Sequence, residues 1–248
     1  MARQEGLTFT GNIDGLSFYH DKLNGYLVRR TGGITSEQYR LDERYAATRD
    51  ASSEFAAICH TGKLIRDALH PFTLPVKDRT MMNRLNKELV VLKQLDTTHS
   101  RGKRRPEIMM MNQEANRSFR VFQFNEHVKT YELTKDFPVI IREQNSLTMK
   151  LSSILPSAFP KSATHAGLTL LQTVIDFGQG CFETRSSHMA LVSHGSDAEL
   201  SLVIPEISSC AGIELVCFQV LFFEERNGDL AQLSGKVHSM GFVAIRDV

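Results

Sequence analysis

Two hydrophobic periods divide the chain. As far as residue 95 most apolar positions recur at helical spacing, and from Phe119 onward they recur every second residue. A short alternating stretch comes before both. Residues 8–13 and 16–20 flank Asp14-Gly15, and Asn24-Gly25 precedes 26–30. Asx-Gly pairs accept the positive φ that tight hairpins need, so a small β-meander is predicted here. Thr35-Ser36-Glu37-Gln38 has capping-box spacing and predicts a short polar helix through Ala47. Phe55, Ile58, Gly62, Ile65 and Leu69 then share one helical face. His70-Pro71 is the stop, because the residue before proline is pushed out of the α region. Gly62 costs about 1 kcal/mol of helix propensity, which predicts that another backbone comes close to it. A third helix, from Asp78 as N-cap to Leu95, puts Met82, Leu85, Leu89 and Leu92 on one stripe with Lys87 and Lys93 on the outer side.

A basic connector, 101–106, follows. Phe119, Val121 and Phe122 then lead into expected strands near 128–134, 137–142, 145–151, 166–176, 181–192, 198–204, 213–225 and 238–246, with Asn227-Gly228-Asp229 as a hairpin turn. Strands at this spacing imply an antiparallel β-sandwich, immunoglobulin-like or jelly-roll-like. The expected fold is therefore α+β: a β-hairpin/helical module over 1–115 joined to a β-sandwich over 116–248.

Charge follows the same division. Lys and Arg exceed Asp and Glu by 6 over residues 1–120 and fall short by 5 over 121–248, so the net charge of +1 conceals a dipolar chain. A basic helical part beside an acidic β part suggests two surfaces with different partners. At 42% hydrophobic and 23% charged, the 248 residues have an ordinary globular composition, with no need of metal or disulfide for stability. Residues 1–6 carry no apolar signal region, and the most apolar run, 213–223, is short and holds Glu214 and Gln219. A cytoplasmic protein without membrane association is expected. Cys59, Cys181, Cys210 and Cys217 form no Cys-x-x-Cys pair and read as reduced, buried thiols, with a Cys210–Cys217 approach across a turn left open.

Candidate chemistry is sparse. The segment 57–64 brushes against a phosphate-binding loop, but Ala57 stands where glycine is needed and Leu64 where a magnesium-holding hydroxyl is needed. His188 and His194 with Cys181, or Cys59-His60, lack metal-ligand spacing. No nucleophile elbow or dinucleotide fingerprint occurs, so no catalytic, cofactor or metal residue is assigned. The strongest candidate is basic: Arg101, Lys103, Arg104 and Arg105, near Arg117 and Arg120, have the charge to grip phosphates, the plainer reading being a solvated linker. Arg29 and Arg30, with Arg40, Arg44 and Arg49, form a second basic group. Phe18, Tyr19 and Tyr26 beside it either stack on bases or form a small core under the helices. Met109-Met110-Met111 reads as adaptable apolar surface, core or contact.

The ordered elements of the first third resemble a family of uncharacterised Bacteroidota proteins. They are Gly11-Asn12-Ile13-Asp14-Gly15-Leu16-Ser17-Phe18-Tyr19, Asn24-Gly25-Tyr26-Leu27-Val28-Arg29, Gly32-Gly33, Thr48-Arg49, Ser53-Glu54-Phe55 and Gly62-Lys63-Leu64-Ile65-Arg66. His20 departs from the basic residue which that family carries after the Phe-Tyr pair. The resemblance covers residues 8–70 and implies an N-terminal module joined to a variable β-rich half; it implies no activity. The function expected is that of a non-enzymatic structural or protein-interaction protein, such as a subunit of a larger assembly. Its partner would be another protein or a second copy. The alternative is a nucleic-acid-binding protein using the basic half.

Overall fold

The structure is a computed structural model that describes residues 2–76, 78–112, 114, 116–205 and 210–247. It is α+β, with antiparallel sheets and a β-rich C-terminal half, and its compact units are Met1–Arg49 and Asp50–Val248.

In the first unit, strands β1 (Ala2–Arg3), β2 (Gly11–Ile13), β3 (Leu16–Asp21) and β4 (Gly25–Arg30) form an antiparallel sheet in the order β1-β4-β3-β2. Ile13 pairs with Leu16, so Asp14 (φ 47°) and Gly15 (φ 73°) make the two-residue turn the sequence predicts. At the second turn, Asp21 Oδ1 accepts from the Leu23 and Asn24 N–H groups at 3.0 and 2.8 Å. This closes a three-residue loop before Gly25. Helix α1 (Ser36–Leu41) opens on Thr35 with both capping-box bonds present, each 3.1 Å.

The second unit is layered. Helices α2 (Ala46–Ala68, belonging to this unit from Asp50 onward), α3 (His70–Thr73), α4 (Met81–Leu95) and α5 (Pro106–Met110) come first, then α6 (Thr130–Leu133). Strands β5 (Val139–Arg142), β6 (Leu147–Leu151), β7 (His165–Asp176), β8 (Cys181–Ser186), β9 (Ala190–Ser193), β10 (Leu200–Ile204), β11 (Ile213–Arg226), β12 (Asp229–Gln232) and β13 (Ser239–Asp247) follow. One sheet has the order β10-β6-β5; the other runs β12-β11-β7-β8, with β13 also on β11 and β9 also on β7. The two sheets face each other. Leu147 and Met149 of β6 and Leu202 of β10 pack in one cluster with Leu168 of β7 and Phe218 and Phe222 of β11. The opposite face of β7 and β11, with Leu171, Ile175, Leu215 and Cys217, packs on Ile65 of α2, on Leu69 just after it, and on Leu85 and Leu89 of α4. With both faces covered, β7 and β11 are buried along almost their whole lengths instead of at alternate positions. Two side-chain bonds tie the layers: Gln219 Nε2 donates to Phe72 O at 2.6 Å and Thr184 Oγ1 to Ala68 O at 2.8 Å.

The shift of period and charge near residue 115 is therefore not a boundary between compact units, although 1–115 and 116–248 were the expected modules. It falls inside a unit whose helices share a core with the sheet; residue 115 itself lies outside the described residues. Other expectations need local correction. Phe119–Val121 is a 3-10 turn instead of a strand lead-in, and α6 occupies most of the strand expected at 128–134. The expected strand 181–192 is two, β8 and β9, both on β7. Pro71 does not simply end a helix; it sits in the first turn of α3, where a missing N–H costs nothing. At Gly62 the close neighbours are side chains: an added Cβ would lie 2.6 Å from Asn86 Oδ1 and 3.3 Å from Leu89 Cδ1. Lys93 is not on the outer side but donates to the buried Glu54 at 2.7 Å. Of the cysteines only Cys217 is buried, its thiol pushed up by that burial, while Cys181 and Cys210 are exposed; none of the four is in a disulfide.

Asp78 is not the N-cap of α4, which is Thr80; it lies two residues ahead and holds the entry to the helix. Its carboxylate accepts from Thr80 N at 2.7 Å, Thr80 Oγ1 at 2.8 Å and Glu126 N at 2.8 Å, and pairs with Arg84. Burial alone would raise its pKa, but these donors outweigh it and hold the group down at about 2. A carboxyl depressed on folding contributes stability above its unfolded value near 3.8, and that stability is lost as pH falls through the folded value. Stability is therefore expected to drop between pH ~4 and ~2, and Asp78→Asn to flatten that limb by about 2 kcal/mol in urea melts at the two pH values.

A second buried charge joins the two sheets. Glu214 of β11, 1% exposed, binds Arg142 of β5, accepts from Gln172 Nε2 at 2.5 Å and takes Arg246 Nε at 2.7 Å.

Candidate functional site

The N-terminal sheet presents an exposed, mainly apolar face, which Arg30, opposite Leu16, shares. Pairing of Ile13 with Leu16, Phe18 with Val28 and His20 with Tyr26 puts all six side chains on one side. Phe9 joins them, its ring 6.0 Å from that of Phe18. Ile13 is 53% and Phe9 50% exposed, and Leu27, on the opposite side, is the one fully buried apolar residue among the described residues of this unit. Phe18, Tyr19 and Tyr26 therefore do not close a core of their own. The edges are guarded: β1 and β2 are only two and three residues long. Arg29 lies over the Tyr19 ring at 5.2 Å, while Arg30 is exposed.

The basic stretch of the second unit is not a free linker. Gly102, at φ +86°, is clamped on α2: its N–H donates to Glu54 Oε1 at 2.9 Å and its carbonyl accepts from Ser53 Oγ at 3.0 Å. An added Cβ there would come within 2.6 Å of Asp50 Oδ1. The clamp spreads the cations over different concavities. Arg101 and Arg104 line a groove of about 480 Å3 with Glu54, Lys93 and Phe55, and Phe55 is 59% exposed. Arg105 turns back onto the carbonyls of Arg104 (2.9 Å) and Gly102 (3.4 Å) and lines a neighbouring hollow with His60 and Glu107. Arg117 and Arg120 line a third, and Lys103 is exposed. Burial would raise the Glu54 pKa, but Lys93, the Gly102 N–H and Arg104 hold it below the usual carboxylate range. One buried anion thus offsets part of the loop's charge. Sequence spacing showed the cations; it carried no signal that Glu54 and Lys93, 39 positions apart, would meet beside them.

Segment 57–64 lies in the middle of α2, where its N–H groups serve the helix and cannot cradle a phosphate. No group of three His, Cys, Asp or Glu is placed to hold a metal among the described residues. His238, unremarkable in sequence, is buried: Nδ1 accepts from Phe222 N at 3.1 Å and Nε2 sits 2.7 Å from Leu233 O, which fixes a neutral tautomer. Burial pulls its pKa down, a structural role in the connection between β12 and β13. Of the methionine run, Met110 is buried and Met111 exposed. No helix is long and apolar enough to cross a membrane among the described residues. No family model, curated protein or solved structure matches the chain.

Proposed function

We propose that the protein is a structural or interaction component, non-enzymatic, that docks on a protein through its N-terminal sheet. The observation behind this is the apolar face of Phe9, Ile13, Leu16, Phe18, Tyr26 and Val28. A sheet is stable when one face is buried against another layer, and a contiguous exposed apolar face marks an interaction site. A second copy is the first occupant to test, since two identical apolar faces are complementary under two-fold symmetry. Mass in solution across a concentration series should rise above that of the 27.9 kDa chain, and Ile13→Asp with Tyr26→Ser should return it to monomer. A mass that stays monomeric throughout, with no protein retained by the wild type that the double variant loses, would remove this reading.

The groove supports a second reading, nucleic-acid binding. Exposed Phe55 beside Arg101 and Arg104 supplies a ring for a base next to cations for its phosphates, as single-strand binders do. Contacts from Arg101, Lys103 and Arg104 would give a log K against log salt slope of about −2 on single-stranded DNA. Anisotropy of a labelled oligonucleotide that does not rise at ~50 mM salt, or that is unchanged by Phe55→Ala with Arg101→Ser, rejects it.

A further inference from the structure

The hollow lined by Arg117 and Arg120 is built differently from the grooves around it. It holds about 410 Å3, within the ~300–1,000 Å3 of small-molecule sites, and opens beside β13, an edge strand of the large sheet. A β-bulge shapes it: Cys217 pairs with Phe242 but Val216 pairs with Ala244, so Val243 is the extra residue. A bulge bends its strand and re-aims side chains. Here the consecutive Phe242 and Val243 both line the hollow, with Phe218 of β11 beside them.

The walls are fixed before any ligand arrives. The 122–124 segment is stitched to the edge of β13 by Phe124 N to Met240 O at 2.8 Å and Phe242 N to Phe122 O at 3.1 Å. Gln123 is held between them. Its Oε1 accepts from Thr130 N at 2.9 Å and Thr130 Oγ1 at 3.0 Å, and its Nε2 donates to Val121 O at 3.1 Å. It lies so close over Gly241 that a Cβ there would be 2.4 Å from Nε2. Phe137, 76% exposed, stands on the far rim.

The charge is of one sign. Arg117 and Arg120 are the only ionisable lining groups of formal charge at neutral pH, and neither pairs with a carboxylate among the described residues. They are three apart in a helical turn, with Arg120 N bonded to Asn116 O at 2.8 Å, which sets both on one side. Other arginines of this unit are engaged: Arg105 on carbonyls, Arg142 and Arg246 on Glu214.

We propose that this hollow binds a small organic anion, its apolar body against Phe218, Phe242 and Val243 and its carboxylate or phosphate between Arg117 and Arg120. Guanidinium forks suit both oxyanions, while the apolar floor disfavours a bare inorganic ion. The site is independent of the sheet face and of the basic groove.

Calorimetric titration of the full chain with octanoate, octyl phosphate and octanol tests it, the first two separating a carboxylate ligand from a phosphate ester. At least one anion should bind one-to-one with Kd below about 1 mM, and octanol at least about tenfold more weakly. Arg117→Gln with Arg120→Gln should weaken the anion about tenfold or more while leaving octanol and the melting temperature unchanged; Phe137→Ala, on the exposed rim, should weaken all three ligands. Neither anion binding at about 5 mM, octanol binding as well as the anions, or the double arginine variant binding them as tightly as wild type would each overturn the proposal.

Discussion

Glu214→Ala is expected to destabilise the protein by roughly 3–5 kcal/mol, the cost of leaving a buried charge without its partner. Glu214 is 1% exposed and serves three donors from three strands: Arg142, Gln172 and Arg246. Their fates differ on removal. Arg246 is 43% exposed along its side chain and returns to water, whereas Arg142 is only 20% exposed and its Nη1 is already buried without an acceptor. The trapped Arg142 therefore carries most of the loss. The same logic predicts rescue: Glu214→Leu with Arg142→Met removes both charges and should lie within about 2 kcal/mol of wild type, far above either single variant. Urea melts followed by far-UV circular dichroism read both. A single variant costing under about 1 kcal/mol, or a double variant no better than the singles, would show that the pair does not hold the sheets together.

Phe119→Ala is expected to cost a similar amount, about 3–5 kcal/mol. The ring is fully buried, 5.1 Å from Phe242 and 6.4 Å from Phe122, and Phe124 completes the group at 5.3 Å from Phe242. It fills the corner where the helical layer meets β13, so truncation leaves a cavity and removes ring–ring contacts worth about 0.5–1.5 kcal/mol each. Val121, two residues on and 51% exposed, is the control: Val121→Ala should change stability by less than about 0.5 kcal/mol. Equal effects at both positions would mean that Phe119 is not packed as described.

These two residues also mark what the sequence discloses and what it conceals. Local signals read well. Asp14-Gly15 and Asn227-Gly228 are two-residue turns with positive φ at both positions, Thr35 and Gln38 make their capping box, and Ile58, Ile65, Leu85 and Leu89 face a core. Each is decided within a few residues. Phe119 failed because aromatic spacing cannot separate a strand from a 3-10 turn whose rings reach a distant strand. Thr130–Leu133 failed likewise, its backbone set by Gln123, which caps Thr130 from seven positions away. The expected division near 115 followed the change in period and net charge. Yet net charge is blind to what shares a core; the clue that both sheet faces are covered is that apolar residues fall on both faces of β7 and β11, as at Leu170-Leu171 and Leu215-Val216. The basic stretch was visible as composition. Its distribution over separate concavities depends on Gly102 and Glu54, which meet only in the fold.

Hydrogen exchange of the native chain in rising urea, read peptide by peptide, tests most directly whether the helical layer and both sheets of residues 50–248 are one cooperative fold. Amides of α4, β6 and β11 are expected to converge on a single opening free energy with a single urea dependence. Opening of α2 and α4 at lower urea, with β6 and β11 still protected, would contradict it.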